Sequence, residues 1–164
     1  MKRLFLWFCW LAASASAVAA ASPWSVYVND RYGTSADTPA GWVEQPAPDN
    51  DDGRVFKRRD GRATLIVNGG FVSEDTPAAA IESRAQPEEG ERVTLSKKSA
   101  RSVTVSGFKG DQIFYRHMIL TCSDQVWNHV EFIYPAAEKA AFDPLVAHVA
   151  ASLRGNAPPG MNCP

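Results

Sequence analysis

The feature that most restricts this chain is a block of four extended segments in direct succession. They read "ERVTLSKK", "RSVTVSGF", "DQIFYRHMILT" and "QVWNHVEFIY" and fill most of residues 91–134. Val, Ile, Thr and aromatic residues dominate them, the side chains that suit a pleated, half-buried surface. Gly107 and Gly110 punctuate the second and third, with "GFKGD" (107–111) as a hairpin connection, and Cys122-Ser123-Asp124 separates the third from the fourth. Links this short leave no room for a crossover helix, so the four segments form an antiparallel meander.

The remaining elements fit around that block. "WSVYVND" (24–30) alternates like a strand. "RYGTSADTPAGW" reads as a loop returning into a short extended piece near Trp42 and Val43, and "EQPAPDNDDG" as a loop by its prolines and Asx residues. "RVFKR" and "RATLIV" flank Arg59-Asp60-Gly61, and Asp-Gly between extended runs predicts a hairpin. Thr76 as cap, Pro77 at the first helical position and Pro87 as stop predict a helix over about 77–86. In the last element Asp143 is expected to cap and Pro144 to open a helix, with an extra turn over 136–141 before it. Phe142, Leu145, Val146, Val149 and Leu153 form its apolar stripe, Arg154 favours its negative end, and Gly155 terminates it. Strands and helices do not alternate, which argues against a doubly wound parallel sheet. The order predicts an α+β fold: an antiparallel sheet of about six strands, with a C-terminal meander, packed against helices.

The N-terminus carries Lys2 and Arg3, a short apolar run from Leu4 to Leu11, then small residues with Ala17-Val18-Ala19 as a cleavage pattern. That is a secretory signal peptide, expected to occupy 1–19, with cleavage up to residue 21. The apolar run is too short for the roughly 30 Å hydrocarbon core, and no later run is long enough, so no transmembrane segment follows cleavage. Phe8 before Cys9 is too bulky for a lipoprotein signal. The remainder is expected to be one α+β domain over 22–155, with an irregular tail over 156–164 in a periplasmic or secreted protein. Cys122 and Cys163 then form an even pair in an exported chain and predict a disulfide tying the tail down. A reactive Cys122 thiol beside His117 or His129 is the rival. With 17 Lys+Arg against 18 Asp+Glu, the chain lacks the basic excess of a nucleic-acid or anionic-membrane binder.

The phrases "RYGTSADTPAGW", "DGRATLIV" and "YPAAEKAAFDPLVAHVAASLR", together with the meander, resemble a group of small exported bacterial proteins of unassigned function. Their layout is similar to the PsbP-like fold, an antiparallel sheet between helices in an α/β/α sandwich. Photosystem extrinsic subunits, periplasmic DcrB-like proteins and a nuclear Ran-binding family share it. The resemblance implies a domain that binds or supports a partner; it carries over no functional residue and no cofactor.

Individual sites are sparse. Aligned on Gly53, a calcium loop fails at Pro48 and Arg59, leaving Asp49, Asp51 and Asp52 as a looser acidic contact. Arg54, Lys57, Arg58, Arg59 and Arg62 crowd the Asp60-Gly61 hairpin. An arginine-rich tip can clamp phosphate or a carboxylate, which makes Arg58, Arg59 and Arg62 binding candidates, or it can blunt an edge strand. His117 and His129 lie opposite each other if the loop is 122–124, and on opposite faces if the register slips by one. Together they could begin a metal site, for which His148 is the only further histidine. "IVNGG" (66–70) is a weak glycine turn, and a groove lined by Trp42 and Trp127 is a further expectation. No nucleophile motif occurs. The sequence therefore predicts a non-catalytic exported domain that binds an envelope protein or small ligand, without cofactor. The alternatives are an enzyme or metal protein using His117 and His129, and a structural envelope or stress factor.

Overall fold

The computed structural model describes residues 22–163, so the expected export signal lies outside the described residues. The meander forms as β6 (Glu91–Lys98), β7 (Ser102–Lys109), β8 (Gln112–Thr121) and β9 (Val126–Pro135). Its outer edge, β6, carries Lys97 and Lys98 and a register shift between Val93 and Leu95, both of which blunt an edge. The expected hairpin joins β4 (Gly53–Lys57) to β5 (Thr64–Phe71), and β3 (Val43–Glu44) pairs with β4. Gly61 supplies the positive φ the turn needs, 72°. Strand β5 pairs with β9, giving a seven-stranded antiparallel sheet in the order β3-β4-β5-β9-β8-β7-β6.

A second sheet was not expected. Residues 34–39, read from sequence as loop, form β2 (Thr34–Pro39) between β1 (Trp24–Asn29) and a two-residue β10 (Arg154–Gly155). The Asp, Ser and Pro in "TSADTP" argue against a strand on propensity. Burial overrides it: Thr34, Ala36 and Thr38 all point inward and are 0–4% exposed. Thr34 donates to Asn128 Oδ1 at 2.7 Å, and Asn128 donates to Thr121 at 2.8 Å, so this small sheet is clasped to β9 and β8 through a buried, satisfied amide.

Helix α1 (Pro77–Ala85) starts as read, with Thr76 Oγ1 accepting from the Ala79 N–H at 3.1 Å. It carries the chain from β5 across one face of the large sheet to the far edge. Helix α2 (Lys139–Ser152) covers the other face with the small sheet, giving the helix–sheet–helix arrangement. Its start differs from expectation. A 3-10 turn over 136–138 leads into a helix already running at Lys139, so Asp143 is no cap and Pro144 lies inside. The lost Pro144 N–H bond is offset by Phe142, which must be helical to stack on Tyr134 at 4.4 Å, and by the Lys139–Asp143 pair at 2.8 Å. At the other end Arg154 does donate to the Ala151 carbonyl at 2.7 Å, but Gly155 is no helix stop. It sits in β10, where a Cβ would come within 2.3 Å of Asn128 Nδ2.

Cys122 and Cys163 are joined, closing a sequence separation of 41. The hairpin loop that holds Cys122 is left-handed at three successive residues, with φ of 53° at Cys122, 53° at Ser123 and 67° at Asp124. Among the described residues no helix is long and apolar enough to cross a membrane.

Candidate functional site

The two faces of the large sheet are chemically unlike. Along β8 and β9, Ile113, Tyr115, Val130, Phe132 and Tyr134 point to the α2 side and are packed with apolar neighbours. Phe114, Arg116, Met118, Leu120, Trp127, His129, Glu131 and Ile133 point to the α1 side. Two of these are charged and nearly out of solvent: Arg116 is 7% exposed and Glu131 8%. Such burial is rare for either residue without a partner.

Arg116 supplies the centre of an ionic frame. Its Nη1 and Nη2 donate to Glu91 Oε1 and Oε2, each at 2.9 Å, a bidentate pair. Glu88 adds a second carboxylate at 2.9 Å, and Nη2 reaches the Gln86 carbonyl at 3.3 Å. Arg116 thereby fastens the segment that follows α1 onto the sheet. Glu131 lies directly across the ladder, 3.8 Å away, too far for a hydrogen bond. Burial is the main reason its carboxyl is pushed up to about 7, with Arg116 opposing.

Beside this frame, a cavity of about 240 Å³ opens between α1 and the sheet. Its floor includes Val103, Val105 and Met118, and Trp127, His129 and Arg84 also line it. Trp127 lies flat over β5 because Gly70 has no side chain; a Cβ there would sit 2.6 Å from the indole. The Arg84 guanidinium stacks over the same ring at 4.3 Å from the centroid. His129 stands edge-on to Trp127 and shares a 2.8 Å hydrogen bond between Nδ1 and Asn68 Oδ1. Desolvation first, then the neighbouring arginines, lowers its pKa to about 3, so it is neutral at ordinary pH. A neutral ring donating from Nδ1 presents an accepting Nε2 to the cavity. A broader hollow of about 890 Å³ lies at the other end of α1, over Pro77, Ala78 and Ile81. Its charged groups are paired with one another, Lys98 with Glu82 and Arg101 with Asp124.

The chain has the PsbP-like fold. The structure is similar to cyanobacterial PsbP (CyanoP) from Synechocystis sp. PCC 6803, with a TM-score of 0.60 and 11% identity over 87% of this chain and 98% of that one. It is also similar to the Ran-binding protein Mog1p of Saccharomyces cerevisiae, with a TM-score of 0.52 and 10% identity over 80% of this chain and 94% of that one. A Bacteroides thetaiotaomicron protein matches with a TM-score of 0.51 and 13% identity, over 82% of this chain and 49% of its own. No family model matches the chain, and no curated protein is detectably similar in sequence. Identities this low speak for the PsbP-like fold alone.

Within that fold the sequence candidates scatter. His117 pairs with Val130 and His129 with Met118, because the loop is one residue longer than the 122–124 register requires. The two rings therefore point to opposite faces and share no site. His117, its pKa lowered by burial, meets Thr104 Oγ1 at 2.9 Å on the α2 side. Trp42 packs against Phe132 and Phe142, also on the α2 side, so it forms no groove with Trp127. "IVNGG" is no turn: it runs inside β5. Arg58 and Arg62 both reach Glu138, and Asp60 bridges them. That fastens the hairpin tip to the start of α2 and leaves Arg59 pointing to solvent. In the acidic loop Asp51 pairs with Arg54 at 3.1 Å and Asp52 accepts from Asn50 at 2.9 Å. The residues that sequence reading missed are Arg84, Glu91, Arg116 and Glu131. One signal was available: "FYRHMIL" and "WNHVEF" each place charge or imidazole inside otherwise apolar strands.

Proposed function

We propose that this chain is an exported, non-catalytic domain that binds a small ligand or a partner's side chain at the cell envelope, in the cavity between α1 and the sheet. The observation that carries the reading is the ionic frame around that cavity. Arg116 and its three carboxylates are costly to desolvate, and an apolar contact would have closed α1 on the sheet at least as well. Their retention is accounted for if the frame holds a cavity open with a defined shape and charge. The disulfide supports the oxidising compartment that the export signal implies. Mog1p, of the same fold, is a Ran-binding protein, which supports a binding role over a catalytic one.

The test is a fragment screen on the isotopically labelled protein, read by side-chain resonances. Ligands are expected to move Trp127 and His129 first. Hits that move only residues on the α2 side would contradict the reading, as would turnover of substrates in a hydrolase panel. Export is checked separately by the mass of the protein recovered from the cell envelope, expected to begin at residues 20–22.

A further inference from the structure

Resting on the cavity reading above, we infer that the ligand is a small monocarboxylate with an apolar body and an N–H or O–H donor close to the carboxylate, the chemistry of an N-acylated aliphatic amino acid. Four charged or titratable side chains line the cavity: Arg84, Arg116, Glu88 and His129. Arg116 is satisfied by Glu88 and Glu91, and this neutralises its charge locally. Arg84 is different. Among the described residues it has no ion-pair or hydrogen-bond partner, only the Trp127 face. Glu74, close enough to feel its charge, accepts from the Ser73 N–H at 3.2 Å. The cavity therefore has one uncommitted cation at its solvent-exposed rim, held flat by an aromatic ring. A planar carboxylate matches a guanidinium edge in a two-point contact.

The other two parts of the ligand follow from the remaining walls. Val103, Val105 and Met118 offer only apolar contact, so the body of the ligand is hydrocarbon. The neutral His129 ring, its Nδ1 committed to Asn68, accepts at Nε2, so the ligand must bring a donor. Size sets the limit. A volume of about 240 Å³ equals about eight waters at ~30 Å³ each, which admits one aliphatic residue with a short acyl group. A cationic ligand is disfavoured because Arg84 is the unpaired charge; a longer peptide would have to leave through the mouth.

The experiment titrates N-acetylvaline and N-acetylvalinamide into the full exported protein, following the Trp127 indole and His129 ring resonances. The acid is expected to bind saturably and at least tenfold more tightly than the amide. Arg84→Gln should remove that preference with the backbone spectrum otherwise unchanged, and Arg84→Lys should keep part of it. If acid and amide bind equally, or if Arg84→Gln binds the acid as parent does, the carboxylate assignment is overturned while the cavity remains a ligand site. If neither probe moves either ring, this ligand class is wrong, and the fragment screen decides the cavity reading.

Discussion

The two faces of the seven-stranded sheet are built from the same strands, yet they hold their covering layers by different forces. On the α2 side, Val130, Phe132, Phe142 and Val149 are 0–2% exposed and interdigitate with the small sheet; the polar groups there, Asn128 and Thr34, are satisfied. On the α1 side, a nine-residue helix buries only Ala80, Ile81 and Ala85, and the segment after it is fastened by Arg116. The first arrangement maximises apolar burial and leaves only a small hollow of about 160 Å³ beside Tyr27, Trp42 and Phe56. The second spends burial on charge and leaves a cavity. The contrast separates the face that stabilises the fold from the face that presents chemistry.

The largest effects should come from breaking each face by its own mechanism. Phe132→Ala on the α2 side is expected to lose about 3–5 kcal/mol in denaturant unfolding, from lost transfer energy and the void left behind. Arg116→Met should cost a similar 3–5 kcal/mol, because it strands Glu91, whose side chain is 2% exposed, without a cation. The two differ in rescue. Adding Glu91→Leu should recover most of the Arg116→Met loss, whereas no single partner change should recover Phe132→Ala. If Glu91→Leu fails to rescue, the ionic frame is not what fastens the segment after α1.

A pH series sharpens the comparison at the next level. The Glu131 carboxyl holds its proton to about pH 7 in the folded chain, against an ordinary 4.5. The folded state therefore binds that proton more tightly, so its stabilising contribution is complete below about 4.5 and is lost as pH rises through 7. Glu131→Gln should gain on the parent with rising pH, on the order of 3 kcal/mol at about pH 8, and should show little difference near pH 4. His129 acts in the other direction. With its pKa lowered from 6.5 to about 3, its contribution is present above 6.5 and is lost as pH falls toward 3. Gly70→Ala should cost about 1–3 kcal/mol by pushing Trp127 off β5, and it should disturb the cavity while leaving Trp42 unchanged. Arg59→Ala, at the exposed hairpin tip, should stay within about 0.5 kcal/mol of parent by thermal unfolding.

How much of this was legible in the sequence follows the same division. The meander, the Asp60-Gly61 hairpin, Thr76-Pro77 at the start of α1 and the Cys122–Cys163 pair are local or covalent signals, and each reads from neighbouring residues. β2 was missed because its partners come from both ends of the chain: Ala36 is buried against α2, and Thr34 needs Asn128. The start of α2 was misplaced because Asp143-Pro144 is a strong local signal that loses to the long-range packing of Phe142. The site was missed for a related reason. Arg116, Glu91 and Glu131 are distant in sequence, and only the pairing of β8 with β9, and the return of the chain after α1, assembles them. The single-residue register difference that split His117 from His129 is also what sets His129 opposite Met118, whereas Trp127 shares its face simply by lying two residues before it on β9.

The most direct test of the division between faces uses two of the three half-buried tryptophans among the described residues, Trp24 being the third. With fluorotryptophan incorporated, Trp42 reports the α2 side and Trp127 the α1 side of one molecule. Saturation with N-acetylvaline is expected to shift the Trp127 resonance and leave Trp42 where it was. A shift of Trp42 without Trp127 would place binding on the wrong face and contradict the account.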